Sequence, residues 1–112
     1  MLGTCHCSRC RKLGASAIAF VRRDDLIWVS GRENIVRYQP PEPYKYLRCF
    51  CGICGTSLGE ILSEDESFPI AANTLDFDLS VANKFHEFVA EKPSWYVIGD
   101  DAKQFEGHPH TD

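Results

Sequence analysis

The residues of this chain that could do chemistry are its six cysteines, and they fall into two groups. Cys5-His6-Cys7-Ser8-Arg9-Cys10 opens the sequence, and Cys49-Phe50-Cys51-Gly52-Ile53-Cys54-Gly55 lies near its middle. In the second group the two-residue spacer between Cys51 and Cys54 turns the chain so that both sulfurs face one ion, and Gly52 and Gly55 permit the backbone geometry of such a knuckle. A knuckle supplies half of a zinc shell, because zinc takes thiolates at about 2.3 Å in a tetrahedron. A redox Cys-x-x-Cys and a disulfide are the other readings, without the helix and strand alternation that accompanies thioredoxin-like motifs. The first group is spaced differently. One residue separates Cys5 from Cys7 and two separate Cys7 from Cys10, so three thiolates can converge on one cation. Three protein ligands leave a fourth position for water or substrate, as in a reactive zinc. Spacing alone leaves a closed structural role for Cys5, Cys7 and Cys10 equally open. Cys49 reads as a spare thiol on the strand entering the knuckle, although it shares a strand face with Cys51. His6, between two ligands, reads as pointing away from the ion.

Elements that must position these groups are mostly strands. Runs rich in β-formers and bounded by turn residues recur at 16–21, 26–30, 34–38, 46–50, 57–62, 68–72 and 84–89, which predicts an all-β fold of short antiparallel strands. In the last run Phe85 and His86 fall on opposite faces, with Phe88 sharing the face of His86, so that strand is expected to be covered on both sides. One helical turn is expected at Ser8–Leu13, stopped by Gly14, and a second at 75–79. Pro40-Pro41-Glu42-Pro43 is a rigid surface connection. With 112 residues the chain is read as one domain, 1–112, whose modest core gains from a metal that ties two loops together.

The landmarks resemble a known family. Cys5-His6-Cys7-Ser8-Arg9-Cys10-Arg11-Lys12, followed by the small residues Gly14, Ala15, Ser16 and Ala17, is similar to the CHCxxCR segment of the glutathione-dependent formaldehyde-activating family, which also contains centromere protein V. Trp28-Val29-Ser30-Gly31, Arg48 with Phe50-Cys51-Gly52-Ile53-Cys54-Gly55-Thr56, Asn73-Thr74-Leu75-Asp76, Lys92-Pro93-Ser94-Trp95 and Phe105-Glu106-Gly107-His108-Pro109 follow in the family's order. The resemblance implies a zinc-binding β-tent and a carbon–sulfur lyase that joins formaldehyde to glutathione, giving S-hydroxymethylglutathione. It implies that Cys5, Cys7 and Cys10 hold the catalytic zinc and that Cys51 and Cys54 belong to a structural zinc. In the family a CxCG hairpin nearer the N-terminus completes that second site; four residues precede Cys5 here, so the expected domain lacks the hairpin. Two outcomes follow: a structural site left with half its ligands, or a single merged zinc held by Cys5, Cys7, Cys51 and Cys54.

Charge and composition bound the partners. The formal net charge of -4 disfavours general nucleic-acid binding. Residues 1–50 carry nine Lys/Arg against four Asp/Glu and residues 51–112 three against twelve, so the two halves attract each other. No apolar run approaches the roughly 18 residues of a membrane span and no signal-peptide pattern precedes Cys5, which gives a cytoplasmic expectation with no membrane partner. Within that frame the sequence predicts a zinc enzyme acting on a small thiol such as glutathione and a small aldehyde, with Arg9, Arg11 and Lys12 as candidate holders of the ligand's carboxylates. Trp95 and Phe68 are candidate walls of a pocket or members of the core. The alternative from another class is a non-catalytic zinc module that binds a protein through its acidic second half. The pair His108 and His110 reads as part of a loose tail.

Overall fold

A computed structural model describes residues 1–14 and 16–110 of the chain, so Ala15 of the small-residue run lies outside the described residues. In chain order the elements are β1 (Leu2–Cys5), α1 (Ser8–Leu13), β2 (Ala17–Arg22), β3 (Ile35–Tyr38), β4 (Arg48–Cys51), β5 (Ser57–Gly59), β6 (Ser67–Ala71), β7 (Asn83–Glu87) and β8 (Lys103–Gln104). Four 3-10 turns intervene, at Arg23–Asp25, Arg32–Asn34, Ala72–Thr74 and Val89–Glu91. The strands form two sheets, one ordered β6-β2-β1-β7-β8 and a smaller one ordered β3-β4-β5. The expected antiparallel pairing holds for β1 with β2, β2 with β6, and both pairs of the small sheet. Two pairings instead run parallel, β1 with β7 and β7 with β8.

The all-β expectation holds, and its local errors have local causes. Segment 26–30 is not a strand: Ile27 is 81% and Val29 91% exposed. Its β-forming side chains find no partner strand, and propensity without pairing does not make a sheet. Strand β1 was not expected, because Leu2-Gly3-Thr4-Cys5 has little β-propensity of its own. It is ordered by its place between β2 and β7. Gly3 lets the Phe85 ring lie against the β1 backbone, where a Cβ would fall 2.3 Å from Phe85 Cζ. The helical turn expected at 75–79 lies upstream, at Ala72–Thr74, while Leu75 and Leu79 pack against the core. Phe88 adopts a φ of 54° and caps the next 3-10 turn, so it leaves the alternation of β7; Phe85 and His86 are both buried, as a strand covered on both sides requires.

The core is small. Phe68, 1% exposed, Ala19 and Ile70 form its centre on β2 and β6, with Val21, Leu26 and Ile61 against them. Phe68 thus belongs to the core, whereas Trp95 is 75% exposed. Burying one phenylalanine stabilises by about 1.5–3 kcal/mol. The two sheets meet along β5 and β6, and that junction leaves an open space between them. His108 and His110 are held by ring contacts and do not form a loose pair: His108 stacks edge-on against Phe88 at 4.7 Å and His110 against Phe105 at 5.4 Å. No helix among the described residues is long and apolar enough to cross a membrane.

Candidate metal centre

Three consecutive pieces of backbone bring the N-terminal cysteines together. Cys5 ends β1, where its N–H donates to Ser16 O at 2.9 Å and the His6 N–H donates to Glu87 O at 2.9 Å. These bonds hold the segment against its neighbours on both sides. Cys7 is extended, with φ -60° and ψ 154°, and caps α1: its sulfur accepts the Cys10 N–H at 3.3 Å. A thiolate here takes the place of the serine or aspartate oxygen usual at a helix start, satisfying a donor that the helix leaves unpaired. The first turn of α1 then carries Cys10 back over Cys7, and Gly14, with φ 77°, stops the helix where expected. As a result the sulfurs of Cys5, Cys7 and Cys10 all lie within 4.8 Å of one another. Tetrahedral thiolate ligation at about 2.3 Å places sulfurs about 3.8 Å apart, so a small inward movement suffices to hold one metal ion.

The electrostatics of the cluster favour a cation. Hydrogen bonds from Cys10 and Cys5 hold the Cys7 thiol far below the usual thiol range. Hydrogen bonding to Cys10 and Cys7, together with burial, pushes Cys5 far above it. For Cys10 the bond with Cys5 lowers the value, but the bond with Cys7 and burial outweigh it, and the net direction is up. One sulfur can therefore ionise easily while its neighbours resist, because adjacent thiolates repel; a divalent ion removes that repulsion. Arg48, from β4 in the other sheet, brings a guanidinium nitrogen to 3.9 Å from Cys10 Sγ. Thus β4 contributes a positive charge to a cluster built on β1 and α1.

The cluster opens into a cleft of about 640 Å³ between the sheets, lined also by Arg9, Tyr44, Arg48, Glu60 and Glu87. The Arg9 guanidinium lies 4.2 Å over the Tyr44 ring. Stacking of this kind uses the face of the guanidinium and leaves its edge donors for a carboxylate. Arg11 and Lys12 are exposed in the last turn of α1 and do not line the cleft. Burial pushes Glu87, next to Cys5, above the ordinary carboxylate range.

Behind the cluster runs a second polar chain. His6 and His86 are both 3% exposed, with His6 Nε2 2.8 Å from His86 Nδ1 and His86 Nε2 2.9 Å from Asp100 Oδ1. The carboxylate can only accept, so His86 donates to Asp100 through Nε2 and accepts from His6 through Nδ1. The ring of His6 thus faces β7, and burial followed by repulsion from His86 and Lys92 keeps its pKa below the usual histidine value.

The second group of cysteines is built like a knuckle but stands alone. The Gly55 N–H donates to Cys51 O at 2.8 Å, the Ile53 N–H to Cys51 Sγ at 3.4 Å, and Cys54 Sγ lies 3.0 Å from Thr56 Oγ1. The Thr56 hydroxyl holds the exposed Cys54 thiol below its usual range. Cys49, 2% exposed, is a buried thiol held above its usual range by desolvation. Among the described residues only Cys5, Cys7 and Cys10 form a group of three or more metal-binding side chains. Cys51 and Cys54 are thus not brought to Cys5 and Cys7, and the merged four-cysteine arrangement is not formed here.

Sequence reasoning missed Arg48 as a neighbour of Cys10, Glu60 on the cleft wall, and the His86–Asp100 support of His6. The register of β4 carried a partial signal for Arg48: alternation puts it on the face opposite Cys49 and Cys51, away from the knuckle it precedes. The family model of the glutathione-dependent formaldehyde-activating enzyme matches residues 1–91 of the chain. No curated protein matches it.

Proposed function

The chain belongs to the glutathione-dependent formaldehyde-activating enzyme family, and we propose that it is a zinc-dependent carbon–sulfur lyase that joins a thiol such as glutathione to a small aldehyde and reverses the same step. The observation that carries this reading is the group of three sulfurs opening into a cleft that also holds arginine side chains. Three soft thiolates suit zinc and leave one coordination position for a reactant. When bound, zinc would lower the pKa of a thiol or polarise a carbonyl oxygen.

Residues of the chain do the rest. Cys5, Cys7 and Cys10 hold the ion. Arg48 offsets the negative charge of the sulfurs through Cys10. Arg9, stacked on Tyr44, takes a carboxylate of the thiol substrate, while Arg11 and Lys12, exposed on α1, add to the field that draws an anion toward the cleft. Holding thiol and aldehyde side by side replaces an encounter in water with an intramolecular step. Cys51 and Cys54 act as a two-thiolate half-site that binds a second ion weakly.

The test is direct. Zinc-loaded protein should accelerate formation of the hydroxymethyl adduct from glutathione and formaldehyde, followed by the adduct's methylene signal in NMR spectra. A rate equal to that of the mixture without protein, over a range of aldehydes, would leave the lyase reading without support.

A further inference from the structure

Glu60 stands where the two sheets join. Strand β5 ends at Gly59, whose φ of 67° turns the chain, and Gly59 lies so close to β6 that a Cβ would fall 2.7 Å from Ile70 Cα and 2.8 Å from Pro69 O. Only glycine satisfies both demands without strain. The next residue is fixed by its own backbone, since the Glu60 N–H donates to Pro69 O at 2.9 Å. The side chain of Glu60 is half-buried and lines the cleft that Cys5, Cys7, Cys10 and Arg48 also line. Among the described residues no hydrogen bond or salt bridge engages its carboxylate, so it is available to a ligand.

We propose that Glu60 is the proton-transfer group of this cleft, taking the proton of the incoming thiol and returning it to the aldehyde oxygen as the carbon–sulfur bond forms. The proposal rests on the lyase reading above. The step balances: the S–H bond breaks, the sulfur electron pair makes the C–S bond, the carbonyl π pair moves to oxygen, and the proton passes through Glu60 to that oxygen. Glu60 ends as it began. In the cleaving direction the same carboxylate takes the hydroxyl proton and returns it to the departing sulfur.

The charges around Glu60 suit this work. Burial and the neighbouring Asp65 carboxylate push it up to about 7, against a downward pull from Arg48; its own charge in turn helps to raise the Cys49 thiol of β4, and Arg37, Lys45 and Glu64 line the shallow groove beside it. A group that titrates near neutrality both accepts and returns a proton efficiently.

Glu60→Gln in the zinc-loaded chain should lower kcat/KM for glutathione and formaldehyde by roughly 10²- to 10⁴-fold with zinc content unchanged. The wild-type rate profile should show a break near neutral pH that Glu60→Gln lacks, and Asp65→Asn should move that break to lower pH. Glu60→Asp keeps the carboxylate and should keep the break at a reduced rate, which separates chemistry from misfolding. A second readout needs no activity. The folded pKa lies above the ordinary value of 4.5, so between that value and neutrality the native state holds more protons than the unfolded one, and stability falls as pH rises. Glu60→Gln should make that slope in the Tm against pH curve shallower, the remainder belonging to Glu87, whose pKa is also raised. An active wild type alongside an equally active, zinc-replete Glu60→Gln overturns the proposal alone. A wild type that accelerates nothing overturns the reading beneath it, while the Tm slope still reports the titration of Glu60.

Discussion

Cys7-Ser8-Arg9-Cys10 and Cys51-Gly52-Ile53-Cys54 share the same spacing and similar local hydrogen bonds: a backbone N–H donates to the first sulfur in both. Their surroundings differ. The first pair gains a third thiol from the end of β1, a guanidinium from β4 and an opening into a cleft. The second keeps an exposed Cys54 whose sulfur partner is a threonine hydroxyl. Local spacing therefore makes a pair of ligands, and tertiary structure decides whether the pair becomes a centre.

The largest expected effect is the loss of one ligand. Cys7→Ser should abolish tight zinc binding and catalysis together, because it removes a ligand while the serine hydroxyl can still cap α1. Cys54→Ser should leave the tightly bound ion and most activity in place. Zinc content after dialysis measures both, and equal losses would break the contrast. Gly59→Ala comes next. Its Cβ meets the β6 backbone at 2.7 Å in a left-handed conformation, so it should destabilise by about 1–3 kcal/mol in denaturant unfolding and widen the cleft. Arg48→Met should weaken zinc roughly 10-fold in competition with a chelator, whereas among the described residues no charged side chain shifts Cys54.

The smallest effect sharpens the comparison from behind the N-terminal cluster. A hydrogen bond from His86, then bonds from Ala102 and Asn83, hold Asp100 below the usual carboxylate range. Its ionised form is thus favoured by folding, and the stabilisation is present above the ordinary value of 3.8 and lost as pH falls through the lower folded value. Asp100→Asn should lower Tm slightly at pH 7, and the difference should close as the pH falls below 3.8 and through the lower folded value. A difference independent of pH would mean that Asp100 serves packing and not charge.

What the sequence disclosed follows the range of the interactions involved. The turn of α1, its stop at Gly14 and the spacing that lets Cys5, Cys7 and Cys10 converge lie within residues 5–14, and all were legible. So were most strands, whose β-forming residues lie between turn signals. Strand β1 was not, because its order comes from β2 and from β7, far along the chain. Arg48 and Glu60 were hidden for the same reason: each reaches the cluster's cleft only because β5 meets β6. The exposed run 26–30 shows the opposite error, in which suitable residues lack a partner. His6 could be read as facing away from the ion, but its support by His86 and Asp100 could not, since those partners lie 80 positions and more along the chain.

The account's central claim is that Cys5, Cys7 and Cys10 alone grip one ion with a position left for a reactant. X-ray absorption at the zinc edge of the loaded protein reads this directly. Three sulfur neighbours at about 2.3 Å with one lighter oxygen or nitrogen neighbour is the expected result. Four sulfur neighbours, as in a merged or closed site, or two or fewer, would contradict it.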